Sequence, residues 1–295
     1  MPEQSGWFRV DCPYCTSKNF RTWRTVGGVD TSSSSEPYTI VSCEDCGLRY
    51  LNPRPPWEIR SREFESSDTN WITHILRQWS LWRKRLIIEE FQSGARLLDV
   101  GVDAGFPVYM HRYHWDVTAV QQFGDFHEAL TPLGIQVFEN MESLPSDQYD
   151  VVTVWDSLGQ FENLTGLVES LAGHTLPGGF LLLSVPAIDS WEAKRYQVDW
   201  AGFEVPRRIT WFTEKDIKKL FSGAPFRLVT TRSVWSDAVR QTMESELRHR
   251  HREQSRIRVI YMMNTLLGSY LNDRQQQVRQ APESVYIFRK ENCNA

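Results

Sequence analysis

Short apolar blocks alternate with amphipathic stretches along most of this chain. Arg96–Val100, Asp116–Val120, Tyr149–Trp155, Phe180–Val185, Phe226–Thr231 and Ser284–Phe288 are brief runs rich in aliphatic and β-branched residues. Such runs predict buried strands. Between Trp71 and Phe91, the residues Ile72, Ile75, Leu76, Trp79, Trp82, Leu86 and Ile87 recur at helical spacing, with Arg and Lys between them. That period predicts an amphipathic helix, facing the core or closing as a lid. Gly166–Ala172 also reads as helix, and Pro177-Gly178-Gly179 as a turn. Glu244–Leu271 makes a long helical stretch, basic through Arg248, His249, Arg250, His251, Arg252, Arg256 and Arg258, then apolar. It suits a solvated face followed by a docked one, or a cap over a hydrophobic or phosphate-bearing substrate. Strands alternating with helices predict a mostly parallel sheet with helices on both faces. Ligands of such sheets bind at the carboxyl ends of the strands.

The most informative block is Leu97-Leu98-Asp99-Val100-Gly101-Val102-Asp103-Ala104-Gly105. An apolar strand ends, two glycines stand four apart, and Pro107 can open a helix. Backbone N–H groups of such a turn can face a ligand, and glycine permits close approach. The spacing is not the dinucleotide fingerprint.

The N-terminal part has a different chemistry. Cys12-Pro13-Tyr14-Cys15 and Cys43-Glu44-Asp45-Cys46-Gly47 are two C-x2-C pairs with 27 residues between them. Two strand-like runs, Phe20–Val26 and Tyr38–Val41, lie between the pairs, joined by the Gly/Ser-rich loop 27–35. This is a zinc-ribbon layout, and four thiolates on Cys12, Cys15, Cys43 and Cys46 would close the shell of a structural Zn²⁺. A redox site on Cys12/Cys15 leaves the second pair unexplained, and two disulfides do not suit a reducing compartment. Cys293 reads as a free thiol. Asn52-Pro53-Arg54-Pro55-Pro56 is a stiff connector. The expected division is a ribbon domain over 1–55, a helical linker or lid over 56–94 and a catalytic-type domain over 95–295.

Composition narrows the function classes. The 295 residues are 41% hydrophobic and 24% charged, as in ordinary globular proteins, with twelve Trp for packing or a pocket. The net charge of −4 makes nucleic acid an unexpected partner. No basic segment followed by an apolar core stands at Met1–Val10, so no signal peptide is expected, and no run is long enough to span a membrane. A cytoplasmic protein is expected; its oligomeric state is not encoded in any pattern here.

Four segments together resemble the class I S-adenosylmethionine-dependent methyltransferases, in their zinc-ribbon-bearing branch. They are Arg96–Gly105, Asp147–Trp155, the Leu176-Pro177-Gly178-Gly179 turn with its following strand, and Val205-Pro206-Arg207-Arg208 through Thr213. Cys46-Gly47-Leu48-Arg49-Tyr50-Leu51-Asn52-Pro53-Arg54-Pro55 also looks typical of that branch. The resemblance implies a Rossmann-like α/β fold with a seven-stranded sheet, its last strand antiparallel, and a methyl donor over the first glycine turn. It implies donor contacts from Asp99, Gly101, Asp103, Gly105, Gln121, Asn140 and Trp155. Departures are visible: Asp103 replaces the middle glycine of the turn. Gln121 replaces a ribose-binding acid, and an amide hydrogen-bonds a hydroxyl without charge assistance. The branch's H-x-x-E-H becomes Asp156-Ser157-Leu158-Gly159-Gln160, and its P-R-H becomes Pro206-Arg207-Arg208.

Methyl transfer from a sulfonium needs positioning, plus a base when the acceptor is a hydroxyl or an acidic carbon. Asp156, Gln160 and Arg208 are the candidate catalytic residues, with Asp156 as base or as a simple helix N-cap. Arg207 and Arg208 suit an anionic group on the acceptor, or ion pairs. His111, His114 and His174 are alternative bases. The expected activity is methylation of a small-molecule acceptor: a sugar, nucleotide-sugar or natural-product intermediate. The alternative is a binding or scaffold protein that keeps the fold without the catalysis. Nucleic-acid methylation guided by the ribbon is the weakest reading.

Overall fold

The structure is a computed structural model that describes residues 6–27, 37–62, 71–101, 104–121, 127–253 and 283–292. Its N-terminal strands are β1 (Phe20–Val26), β2 (Tyr38–Cys43) and β3 (Arg49–Leu51). Helices α1 (Trp57–Arg62) and α2 (Trp71–Glu89) lead to β4 (Arg96–Gly101), α3 (Gly105–Arg112), β5 (Asp116–Gln121), α4 (His127–Leu130) and β6 (Gln136–Phe138). Then come β7 (Tyr149–Trp155), α5 (Leu164–His174), β8 (Thr175–Pro186), α6 (Trp191–Tyr196), β9 (Thr210–Trp211), α7 (Glu214–Leu220), β10 (Phe226–Arg232), α8 (Trp235–Glu253) and β11 (Glu283–Lys290).

The main sheet has seven strands in the order β10-β11-β8-β7-β4-β5-β6. β4 runs parallel to β5 and β7, and β7 parallel to β8. β11 is antiparallel to both of its neighbours, as expected of the last strand. Its strands alternate between two buried faces, which is why they read as continuous apolar runs. Leu98, Val100, Val152, Val154, Leu181 and Leu183 join one core. Leu97, Val151, Leu182 and Ile287 join the other, with Ile87 and Ile88 of α2.

Several local expectations change. Pro177-Gly178-Gly179 is not a separate turn before a strand: it lies inside β8. The pairing jumps from Tyr149↔Thr175 to Val151↔Phe180, so extra residues are looped out of the ladder. Gly178 absorbs the bend at φ +80°. The buried side of α2 is Ser80, Leu81, Ile87 and Ile88, whereas Ile75, Trp79 and Trp82 are exposed. Tertiary packing, not the apolar count, chose the face. The side chain of Ile72 lies outside the described residues. Helix α8 begins at Trp235, earlier than the periodicity suggested. Residues 254–282, with Arg256, Arg258 and the apolar half of that stretch, lie outside the described residues, as does Cys293.

The ribbon is not a separate bead. β1, β2, β3 and β9 form one antiparallel sheet, so a downstream strand completes it. Arg49 faces Trp211 and Tyr50 faces Thr210. Val41, Leu48 and Tyr50 share a core with the main sheet. A third cluster packs Tyr38, Ile40, Trp200, Phe203 and Trp211, which accounts for part of the Trp content. Among the described residues no helix is long and apolar enough to cross a membrane.

Candidate active site

At the carboxyl edge of the main sheet, β4, β5 and β7 end side by side. Asp99 lies in β4, fully buried, and accepts a 2.6 Å hydrogen bond from the Thr153 hydroxyl of β7. Gly101 ends β4, and a Cβ there would stand 3.0 Å from Asp99 Oδ2. Gly105 opens α3. Asp103 lies outside the described residues. Gln121 ends β5 at 4% exposure, and among the described residues neither its amide oxygen nor its amide nitrogen has a hydrogen-bond partner. The Trp155 indole N–H, at the end of β7, is buried and unpartnered too. Phe106 of α3 meets the Trp155 ring edge-on, centroids 5.4 Å apart, and the Lys84 ammonium of α2 lies 5.0 Å from that ring.

These orphaned groups bear on the methyl donor that the motifs imply. Buried polar atoms are satisfied almost everywhere in proteins, so two unsatisfied groups at the strand ends on either side of β4 mark a place for polar ligand atoms. The Gln121 amide can donate to and accept from a pair of hydroxyls. The residues therefore fit an adenosyl group. Asn140 comes just after β6, the strand beside β5, and its side-chain oxygen accepts from Ser143 N–H at 2.8 Å, capping the turn Met141–Ser143.

Beyond Trp155 the backbone turns sharply. Asp156 has φ +54°, a left-handed conformation that Asp tolerates better than most residues. Its N–H donates to Ser184 Oγ at 3.0 Å. Asp156 is not the N-cap of the turn Leu158–Gln160; Ser157 holds that position, and its hydroxyl donates instead to Val100 O at 2.8 Å. The Asp156 carboxylate takes a 2.7 Å contact from Arg208, which also reaches Glu204 at 2.8 Å. Arg207 pairs with Glu204 at 2.6 Å. Arg208 is 1% exposed, so the ion pair expected on the surface is buried, and its guanidinium is engaged by carboxylates of the chain itself. Burial pushes the Asp156 carboxyl up from its ordinary value, against the pull of Arg208. Burial works the same way on Glu204, but Arg207 and Arg208 outweigh it and hold Glu204 well below the usual range. Gln160 is buried with both side-chain polar atoms unpartnered.

A second charged group was not legible in the sequence. Lys84 of α2 pairs with Asp237 of α8 at 3.2 Å. Glu283, the first residue of β11, lies beside them at 2% exposure with Oε1 unpartnered. Burial, then Asp237 and Asp156, push its carboxyl up to about 8. Three elements far apart in the chain build this cluster, so no spacing announces it. The three histidines do not join it. His174 Nδ1 lies 2.8 Å from Ser170 O, His111 is in the last turn of α3, and His114 is exposed.

The four cysteines converge in the ribbon. Their Sγ atoms all lie within 4.8 Å of one another, with Cys12–Cys46 and Cys15–Cys43 at 3.5 Å. Tetrahedral zinc with Zn–S of about 2.3 Å separates sulfurs by roughly 3.8 Å, so the set fits that ion. Gly47, at φ +85°, lets its N–H donate to Cys43 O at 3.0 Å and closes the second knuckle.

Comparisons with known proteins agree with the fold. No curated protein matches the sequence. A S-adenosylmethionine-dependent methyltransferase from Thermotoga maritima is 13% identical, with TM-score 0.50, over 80% of this chain and 100% of that one. The N-methyltransferase NodS from Bradyrhizobium japonicum is 12% identical, with TM-score 0.42, over 77% of this chain and 100% of that one. A family profile described as a methyltransferase domain matches residues 71–231, more than half of the 295. With that match and this sheet order, the chain belongs to the methyltransferase-domain family and has its class I fold.

Proposed function

We propose that the protein transfers a methyl group from S-adenosylmethionine to a small-molecule acceptor. The observation that carries this reading is the unpartnered Gln121 amide, buried at the end of β5 beside the end of β4. An adenosyl ribose would give that amide both of its missing partners. Asp99, Gly101, Gly105 and Trp155 would line the donor from β4, α3 and β7, and Asn140 would serve the adenine only by releasing its cap. When bound, the donor supplies an activated methyl; the chain supplies orientation and exclusion of water. The ribbon would hold Zn²⁺ on Cys12, Cys15, Cys43 and Cys46 as a structural ion with no open position.

Asp156 is the candidate base that directly follows β7. Its pair with Arg208 weakens it as a proton acceptor, because a bound guanidinium favours the carboxylate. That same pairing favours a second reading, a protein that binds the donor without turning it over. A sugar, nucleotide-sugar or natural-product intermediate is the acceptor class in the first reading.

Titration calorimetry with S-adenosylmethionine tests the donor site. We expect binding that Gln121→Ala weakens about tenfold, the loss of one or two polar contacts. No binding at millimolar donor, or binding indifferent to both Gln121→Ala and Gly101→Val, refutes the site. Asp156→Asn separates the two readings once an acceptor is found: retained affinity with lost turnover supports the base.

A further inference from the structure

Two arginines are buried in the seam between the ribbon and the segment that leaves β7. Arg54 follows β3, and its backbone exchanges hydrogen bonds with Phe8 at 2.9 and 3.0 Å. Arg60 lies on α1, its guanidinium 5.2 Å from the Trp57 ring centre. Both are 3% exposed. Glu162, half exposed, pairs with Arg60. Arg54 has no such partner among the described residues, and its Nε is fully buried without an acceptor, as is Arg60 Nε. Burial lowers the Arg54 pKa to about 10; Glu162 opposes this and Arg60 adds to it, so all three lie within electrostatic reach. Arg54 therefore keeps its charge at neutral pH.

A guanidinium offers five N–H donors in a planar fork and does not escape burial by losing its proton. Among the described residues these two forks share one carboxylate, Glu162, which leaves an excess positive charge and a surplus of donors. The supply exceeds what the two oxygens of another carboxylate would use, and it matches the three oxygens of a phosphate group. We propose that Arg54 and Arg60 form an oxyanion site that takes the phosphate group of a small ligand. Glu162 comes six residues after Asp156, on the segment leaving the carboxyl end of β7, so the site flanks the edge where the acceptor would enter. As the anchor of a phosphorylated acceptor it rests on the methyl-transfer reading; as a phosphate site it stands without it.

The test is calorimetry on the full chain with inorganic phosphate, with acetate as the carboxylate arm and no methyl donor present. Saturable binding of one phosphate is expected, with acetate at least tenfold weaker. Arg54→Gln and Arg60→Gln should each weaken phosphate at least tenfold. Glu162→Gln, at a half-exposed position, should tighten it severalfold by removing the competing carboxylate. Arg54→Lys keeps the charge and loses the fork, so it serves if the glutamine variants fail to fold, and it should weaken phosphate severalfold. Phosphate that does not saturate, or affinity unchanged in Arg54→Lys and Glu162→Gln, overturns the proposal. Donor titration is a separate experiment, so failure there leaves the phosphate result standing.

Discussion

Replacing Arg208 by Gln removes the centre of a buried charge network. The wild-type guanidinium sits 2.7 Å from Asp156 and 2.8 Å from Glu204 at 1% exposure. At an effective dielectric of 20, charges about 4 Å apart attract by about 4 kcal/mol, and desolvation offsets much of that. The intact network is therefore close to neutral for stability. Breaking it is not, because Asp156 is left charged in a site whose burial already opposes charge, while Glu204 keeps its ion pair with Arg207. Removing one partner of a buried pair costs about 3–5 kcal/mol. For a domain of this size that lowers Tm by about 10 °C. Urea denaturation followed by circular dichroism measures the loss, with the triple variant Arg208→Met/Asp156→Asn/Glu204→Gln as companion. The triple variant strands no buried carboxylate, and Arg207, whose side chain is partly exposed, tolerates the loss of Glu204, so most of the stability should return. A loss below about 1 kcal/mol for Arg208→Gln, or a triple variant no more stable than the single one, refutes the reasoning. The pH dependence has a definite sign. Glu204 is depressed below its ordinary 4.5 when folded, so its contribution is full above that value and is lost as pH falls through the folded pKa. Arg208→Gln should shrink this acid-side loss.

Glu283 gives the opposite sign. Its carboxyl rises from 4.5 to about 8 on folding, so between those values the folded state holds a proton that the unfolded state has lost. Stability then falls as pH rises through that window, and Glu283→Gln should flatten the fall, gaining more at pH 8 than at pH 5. Equal gains at both pH values would contradict the assignment. Metal analysis should find about one zinc per chain, and chelation or Cys43→Ser should lower the unfolding midpoint of the whole protein, because Val41, Leu48 and Tyr50 share the core of the main sheet. Less than half an equivalent of zinc with an unchanged midpoint would rule the ion out.

The strand blocks were legible because a sheet covered on both faces demands continuous apolar runs: β7 begins and ends where the pattern placed it, and β1 likewise. β6, β3 and β9 were not, since strands of two or three residues carry too few positions to show a period. The cysteine spacing foretold the four-thiol cluster, because two knuckles on a hairpin leave little freedom. The family resemblance needed four segments together, and Asp99, Gly101, Gln121 and Trp155 are the donor contacts which that resemblance implies. The tertiary structure decided everything that depends on who meets whom across distance. It turned Arg208 from a candidate for an external anion into the buried partner of Asp156 and Glu204. It joined Lys84, Asp237 and Glu283, which lie about 150 and 50 residues apart in the chain. It also buried Arg54 and Arg60 within electrostatic reach of each other, with Glu162 as their shared carboxylate among the described residues. Periodicity reports a residue's own face, whereas charge partnership is a property of pairs that only the folded chain brings together.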